Sequence, residues 1–180
     1  SLENEYGTDP YSADTDGDGI EDGSEDGDNT DPLDPCDPVQ DPGYTGYDGD
    51  NAIWAAADCD DDLIPNGDEL DLGTDPYNED TDGDGTDDAF EDEGQTDPLD
   101  PCDPVKFAGY TGYDADNAIW AAADCDGDLI PNGEELGLGT DPYNEDTDGD
   151  GTDDALEDEG QTGPLDPCDP VQDPGYTGYD

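Results

Sequence analysis

The sequence predicts a mostly irregular linear repeat array, with few short helices or strands and no conventional hydrophobic core. Three observations carry that expectation. The first is charge: 58 Asp and Glu stand against a single Lys or Arg, a formal net charge of -57 over 180 residues. The second is a shortage of apolar side chains. Leu, Ile, Val and Phe make up about 12% of the chain, below the roughly 20% under which highly charged chains stay disordered. The third is repetition with a period of 66: Thr8-Asp9-Pro10 returns as Thr74-Asp75-Pro76 and Thr140-Asp141-Pro142. So self-repelling a chain becomes compact only when counter-charge is supplied. Repetition at this period marks an array whose units contact mainly their neighbours.

The repeats are nearly identical. Cys36 recurs as Cys102 and Cys168, Cys59 as Cys125, and Trp54 as Trp120. Residues 75–105 and 141–171 differ only at Phe90/Leu156 and Asp97/Gly163. The expected units are residues 1–66, 67–132 and an incomplete third over 133–180, the first opening inside a motif described below. No signal-peptide pattern is read at Ser1, and both ends fall within a repeat. The expectation is therefore a window on a longer repetitive protein.

Composition also excludes. Nucleic acid is an unsuitable partner by sign of charge, and no apolar run approaches the roughly 20 residues of a membrane-spanning helix. There is no His and no Met. Five Cys in a small, core-poor chain read as disulfide partners in an oxidising compartment. Nothing in the sequence supplies a general base or an activated nucleophile, so no enzyme is expected.

The chemistry lies in a twelve-residue pattern, D-x-D-x-D-x-x-x-[DN]-x-x-E, present as two kinds of loop. The first kind places Asp14, Asp16, Asp18, Asp22 and Glu25 at positions 1, 3, 5, 9 and 12. It returns as Asp80, Asp82, Asp84, Asp88 and Glu91, and as Asp146, Asp148, Asp150, Asp154 and Glu157. The second kind carries Asp58, Asp60, Asp62, Asn66 and Glu69, and again Asp124, Asp126, Asp128, Asn132 and Glu135. Glu3 aligns with Glu69 and Glu135, as the last residue of a loop whose start precedes Ser1.

This spacing suits calcium, a hard cation that takes six to eight oxygens at about 2.3–2.6 Å in a flexible shell. Carboxylates at positions 1, 3 and 5 of a tight curl converge on one point, and Gly19, Gly85 and Gly151 at position 6 permit the curl. The backbone carbonyl at position 7 (Ile20, Ile64, Thr86, Ile130, Thr152) adds an oxygen, and the Glu at position 12 closes the shell with two. Magnesium demands a tighter octahedron and keeps its waters. The expectation is a calcium-organised array holding at least five ions, with Asp or Asn at position 9 counted among the ligands.

The spacing is that of an EF-hand, but Pro10 and Pro76 stand too close to the loops for a long entering helix. The runs Leu72-Gly73-Thr74-Asp75-Pro76-Tyr77-Asn78-Glu79-Asp80-Thr81-Asp82-Gly83-Asp84-Gly85 and 138–151 instead resemble the thrombospondin type 3 repeat, in its bacterial form. That resemblance implies an extracellular chain of little regular structure wrapped around a row of calcium ions, often a stalk or spacer. Two departures stand out. Leu63 and Leu129 replace glycine at position 6 of the second loop kind, predicting a looser turn, and the stretch 94–123 has no counterpart in the family.

Between the loops, Asp31-Pro32-Leu33-Asp34-Pro35-Cys36-Asp37-Pro38 puts proline at every third residue, the period of polyproline II. A stiff spacer is expected there. Asp50-Asn51 followed by Ala52-Ile53-Trp54 reads as a capped short helix. Trp54 is expected to anchor a small core with Ile53, Tyr44 and Tyr47, or alternatively to offer a sugar platform. Pairing Cys36 with Cys59 and Cys102 with Cys125 closes the shorter loops. The register Cys59–Cys102 costs only about half a kcal/mol more in closure entropy and stays open.

The functional expectation is a calcium-rigidified rod, stalk or filament at the cell surface or outside the cell. Its partners are calcium, neighbouring repeats or copies of itself, and glycans, of which N-linked ones are disfavoured because no N-x-[ST] sequon occurs. The alternative is a calcium-dependent adhesion module for carbohydrate, mineral or a receptor. A calcium sensor is disfavoured by the lack of a Met-rich groove.

Overall fold

A computed structural model describes residues 7–94, 96–160 and 162–168. Among them there are short helices and no strand, as an apolar-poor, Pro- and Gly-rich chain requires. Helix α1 spans Asp22–Asp28, α2 Asn66–Leu72, α3 Asp88–Gly94, α4 Ala118–Ala122, α5 Asn132–Leu138 and α6 Asp154–Gly160, and Trp54–Ala56 forms a single 3₁₀ turn. No helix among these residues is long and apolar enough to cross a membrane. The chain divides into two compact units. One runs through Thr81 and resumes over Thr86–Leu99; the other takes Asp82–Gly85 and the described residues from Asp100 onward.

Five of the six helices do one job: each starts at position 9 of a loop and carries the position-12 glutamate in its first turns. They are seven residues long, well below the dozen or so at which isolated helices hold themselves. The loops tie them down. Asp22 N–H donates to Ala13 O (2.9 Å) and Asn66 N–H to Ala57 O (2.8 Å), with Asn132 to Ala123 O and Asp154 to Glu145 O alike. Each bond closes the loop into a ring. Acidic residues in the first turn suit the helix macrodipole. Gly73 (φ 93°) and Gly139 (φ 88°) end α2 and α5 in the left-handed conformation that glycine takes without steric cost.

The proline-rich segments are not an extended spacer. Asp34 N–H donates to Asp31 O and Asp37 N–H to Asp34 O, both at 3.0 Å. These are two overlapping β-turns with Pro32 and Pro35 at the second position, where their fixed φ fits. A three-residue period arises because the last residue of one turn is the first of the next. Polyproline II has no such internal hydrogen bonds.

After these turns the chain doubles back over its own first-kind loop. In the first unit Asp48 N–H donates to Gly17 O (2.8 Å), Asn51 Nδ2 to Thr15 O (3.1 Å) and Tyr44 Oη to Asp18 O (3.1 Å). Disulfides then join Cys36 to Cys59 in that unit and Cys102 to Cys125 in the other, while Cys168 is exposed and free. Asn51 Oδ1 accepts from Ile53 N–H, and Asn117 caps α4 by accepting from Ile119 and Trp120 N–H.

The apolar core is small and aromatic. Trp54 has no exposed surface; Tyr47 stacks on it at 4.0 Å, and its Nε1–H donates to Tyr77 Oη at 2.9 Å. Tyr44 meets the Tyr77 ring edge-on at 5.8 Å. Trp120, Tyr113, Tyr110 and Tyr143 repeat the cluster in the second unit. Two expectations are corrected here. Ile53 is 44% exposed and leaves its place to Tyr77, and the burial of Trp54 removes it as a sugar platform.

Candidate metal centre

In the loops 14–25 and 58–69 the aspartates divide their oxygens between backbone amides and a common point of convergence. At position 1, Asp14 accepts from Gly17 N–H (2.7 Å) and Gly19 N–H (3.0 Å), holding the curl shut. At positions 3 and 5 one oxygen takes the amide two residues on: Asp18 N–H donates to Asp16 Oδ1, and Ile20 N–H to Asp18 Oδ1. The other oxygen of each, Oδ2, is buried without a partner, and so are both oxygens of Glu25. The second-kind loop repeats the arrangement, with Asp62 N–H on Asp60 Oδ1, Ile64 N–H on Asp62 Oδ1, and Asp60 Oδ2, Asp62 Oδ2 and Glu69 Oε2 unpartnered.

Carboxylate oxygens of Asp14, Asp16 and Asp18 lie within 4.8 Å of one another, as do those of Asp58, Asp60 and Asp62, and of Asp124, Asp126 and Asp128. In the second unit Glu135 and Glu157 also present two buried, unpartnered oxygens each. Asp150 and Thr152 N–H hold Asp148 and Asp150 as their counterparts are held. Asp80, Asp82 and Asp84 form a further group of this kind, and Asp82, Asp84, Asp88 and Glu91 are all buried. Glu3 lies outside the described residues.

A buried carboxylate with a bare oxygen is costly unless a counter-charge meets it. Burial, followed by the negative charges of Asp60, Asp62 and Asp88, pushes Glu69 up to about 9. Burial and the neighbouring aspartates likewise push Glu135 to about 8, and Glu25 and Glu157 to about 7. Among the aspartates, Asp60 is raised to about 7 and Asp16 and Asp126 to about 6, burial again first. The donor set is all oxygen, convergent and anionic, which fits a hard divalent cation.

Position 9 behaves differently from the other acidic positions. Asp22 accepts from Thr15 N–H (2.7 Å) and Thr15 Oγ1–H (2.8 Å), and Asp88 and Asp154 repeat this with Thr81 and Thr147. Asn66 accepts from Cys59 N–H and donates to Trp54 O, and Asn132 does the same with Cys125 and Trp120. Position 9 thus staples the second residue of the loop to the start of its helix. Asp88 additionally brings a carboxylate oxygen within 4.8 Å of Asp62 and Glu69, a buried trio drawn from two successive loops.

The turn at position 6 is no looser where leucine stands. Leu63 (φ 89°) and Leu129 (φ 87°) take the same left-handed backbone as Gly19 (φ 94°), and their N–H groups donate to Asp58 and Asp124 Oδ2 as Gly19 donates to Asp14. The carboxylate at position 1 imposes the curl whatever the residue. What differs is the cover. A Cβ on Gly19 would strike the Gly46 carbonyl, whereas Leu63 and Leu129 point into solvent, 83% and 84% exposed.

Sequence reasoning missed Tyr77, Thr15, Thr81 and Thr147. The threonines at position 2 recur at the loop period and were findable; Tyr77 lies 23 residues from Trp54 with no local signal.

The family model of the bacterial TSP3 repeat matches the chain three times, at residues 14–35, 80–101 and 124–145. No curated protein and no solved structure matches it. TSP3 repeats are calcium-binding modules and not an enzyme family; the clusters that begin at Asp14, Asp80 and Asp124 lie within the matched stretches, and Asp58, Asp60 and Asp62 lie outside them. The chain is a calcium-binding repeat protein.

Proposed function

We propose that these TSP3 repeats form a calcium-rigidified structural element, a rod, stalk or filament outside the cell. The observation that carries the reading is the set of buried, unpartnered carboxylate oxygens in the loops that begin at Asp14, Asp58 and Asp124, where the position 1, 3 and 5 carboxylates converge. In each whole loop the ion is held by positions 1, 3, 5 and 12 with the carbonyl of position 7. Asn66 and Asn132 also tie the loop to the backbone; with one ion in each whole loop, at least five ions are bound. The 66-residue period, with units 1–66, 67–132 and 133–180, sets the axial repeat. Two disulfides favour an oxidising compartment.

The energetics suit a structural role. Extracellular calcium modules bind at roughly 10⁻⁴–10⁻³ M, and at about 20-fold excess each site adds about 1.8 kcal/mol. Five such sites supply about 9 kcal/mol, the whole stability of an ordinary domain. The test is hydrodynamic radius and near-UV circular dichroism with calcium and with excess EDTA. Expansion and loss of the aromatic signal on chelation are expected; an unchanged radius refutes the reading. Electron microscopy in millimolar calcium then separates a lone rod from a filament.

A further inference from the structure

The calcium reading of the loops says nothing of the chain's one cationic side chain, Lys106. Its Nζ lies 2.8 Å from Asp84 Oδ2, with Asp84 fully buried and Lys106 only 10% exposed, and sits 5.2 Å from the centre of the Tyr110 ring. Asp84 holds position 5 of its loop, so the ammonium occupies the oxygen whose counterpart in the first loop, Asp18 Oδ2, is buried and bare. The positions 66 residues before and after Lys106 carry Gln40 and Gln172, each following the same Asp-Pro-Val. One repeat in three has therefore replaced a neutral amide with a tethered cation beside an acidic loop.

We propose that Lys106 is a built-in competitor of calcium for Asp84, an inference that rests on the calcium reading above. A calcium ion ligated by Asp84 stands about 2.4 Å from its oxygen. An ammonium on the same oxygen then lies within a few ångströms of a dication, where repulsion in a buried site is strong. Calcium enters this loop by driving the ammonium off Asp84 and away from the ring of Tyr110, a contact that itself holds a cation. The five loops are consequently unequal. The loop that begins at Asp80 is the weakest calcium site and the first to empty as calcium falls. Lys106 then neutralises Asp84, so that part of the second unit stays ordered after its ion has left.

The internal repeats supply the variants. Lys106→Gln restores the residue found at the equivalent positions, and Gln40→Lys introduces the competitor beside Asp18. Calcium titrations of the full chain by isothermal calorimetry, with ions counted by native mass spectrometry, read the effect. Lys106→Gln should tighten one site by about tenfold or more, and Gln40→Lys should weaken one by a similar factor. The gain from Lys106→Gln should vanish in an Asp84→Asn background. A Lys106→Gln isotherm that superimposes on the parent, or a gain that survives Asp84→Asn, overturns the inference while leaving calcium binding intact. Absence of calcium uptake by the parent chain is a different result and removes the underlying reading.

Discussion

Position 6 of the two loop kinds should respond to substitution in opposite directions. In Leu63→Gly, a left-handed backbone that costs a side-chain-bearing residue roughly 1–2 kcal/mol becomes free of strain. Glycine's greater freedom in the unfolded chain returns about 0.5–1 kcal/mol of that. Little packing is lost, since Leu63 is 83% exposed. The expected outcome is a small gain, from nothing to about 1.5 kcal/mol. Gly19→Ala combines the same left-handed cost with a collision against the Gly46 carbonyl and a 2.7 Å approach to Tyr44 Oη. Displacing that cover adds about 1–3 kcal/mol, for a net loss of about 1–4.5 kcal/mol once glycine's freedom in the unfolded chain is returned. Urea unfolding at fixed calcium, followed by the fluorescence of buried Trp54 and Trp120, measures both. A loss above about 1 kcal/mol in Leu63→Gly, or a silent Gly19→Ala, would refute the account of the covered and open turns.

Three further outcomes follow from the same geometry. Tyr77→Phe leaves Trp54 Nε1–H buried without its acceptor and should cost about 1–3 kcal/mol, whereas Tyr11→Phe, at a side chain 97% exposed, should be silent in the same unfolding assay. The raised carboxylates make calcium and protons rivals. Without calcium the folded loops bind more protons than the unfolded chain, so their stability is greatest at low pH and falls as pH rises from about 4.5, the ordinary Glu value, through the 7–9 of Glu25, Glu135 and Glu69. Chain in EDTA should therefore contract on acidification to about pH 5, while in calcium the midpoint of binding should move to higher calcium as pH falls through 7; a pH-independent midpoint contradicts this. Replacing Cys36 and Cys59 by Ser, which opens a link across 23 residues, should lower stability by about 3 kcal/mol, read from the urea midpoint.

Which features were legible in the sequence follows from how local their causes are. Alternate aspartates ending in a glutamate seven residues on state their own geometry, because each aspartate is turned by amides two to five residues along. The position-9 residue carries an oxygen too, and its tie to the amide of position 2, seven residues back, is not stated by the spacing. The proline period suited two conformations, and only the amides of Asp34 and Asp37 choose turns. The disulfide register was nearly degenerate in closure entropy, so its choice in the fold rests on where the return segment brings Cys36 and Cys59. Tyr77 joins the Trp54 cluster through the whole intervening loop, which no local pattern reports.

The deepest departure from an ordinary domain is the identity of what is buried. The buried hydrophobic residues described are Trp54, Ile64, Tyr77, Trp120 and Ile130, whereas Glu25, Glu69, Glu91, Glu135 and Glu157 are each sequestered entirely. In a conventional fold the apolar group holds the interior and the charged group faces water. Here the aromatic cluster and the disulfide fix where consecutive loops meet, and the interior positions belong to oxygens that only a cation satisfies. A hydrophobic core is present whenever the chain is folded, whereas on the calcium-rigidified reading proposed above this interior should be lost as calcium falls. The trio Asp62, Glu69 and Asp88 extends the consequence beyond single loops. An ion placed among oxygens from two successive loops makes the order of each depend on the other, so rigidity should spread along the repeats as calcium rises instead of appearing loop by loop.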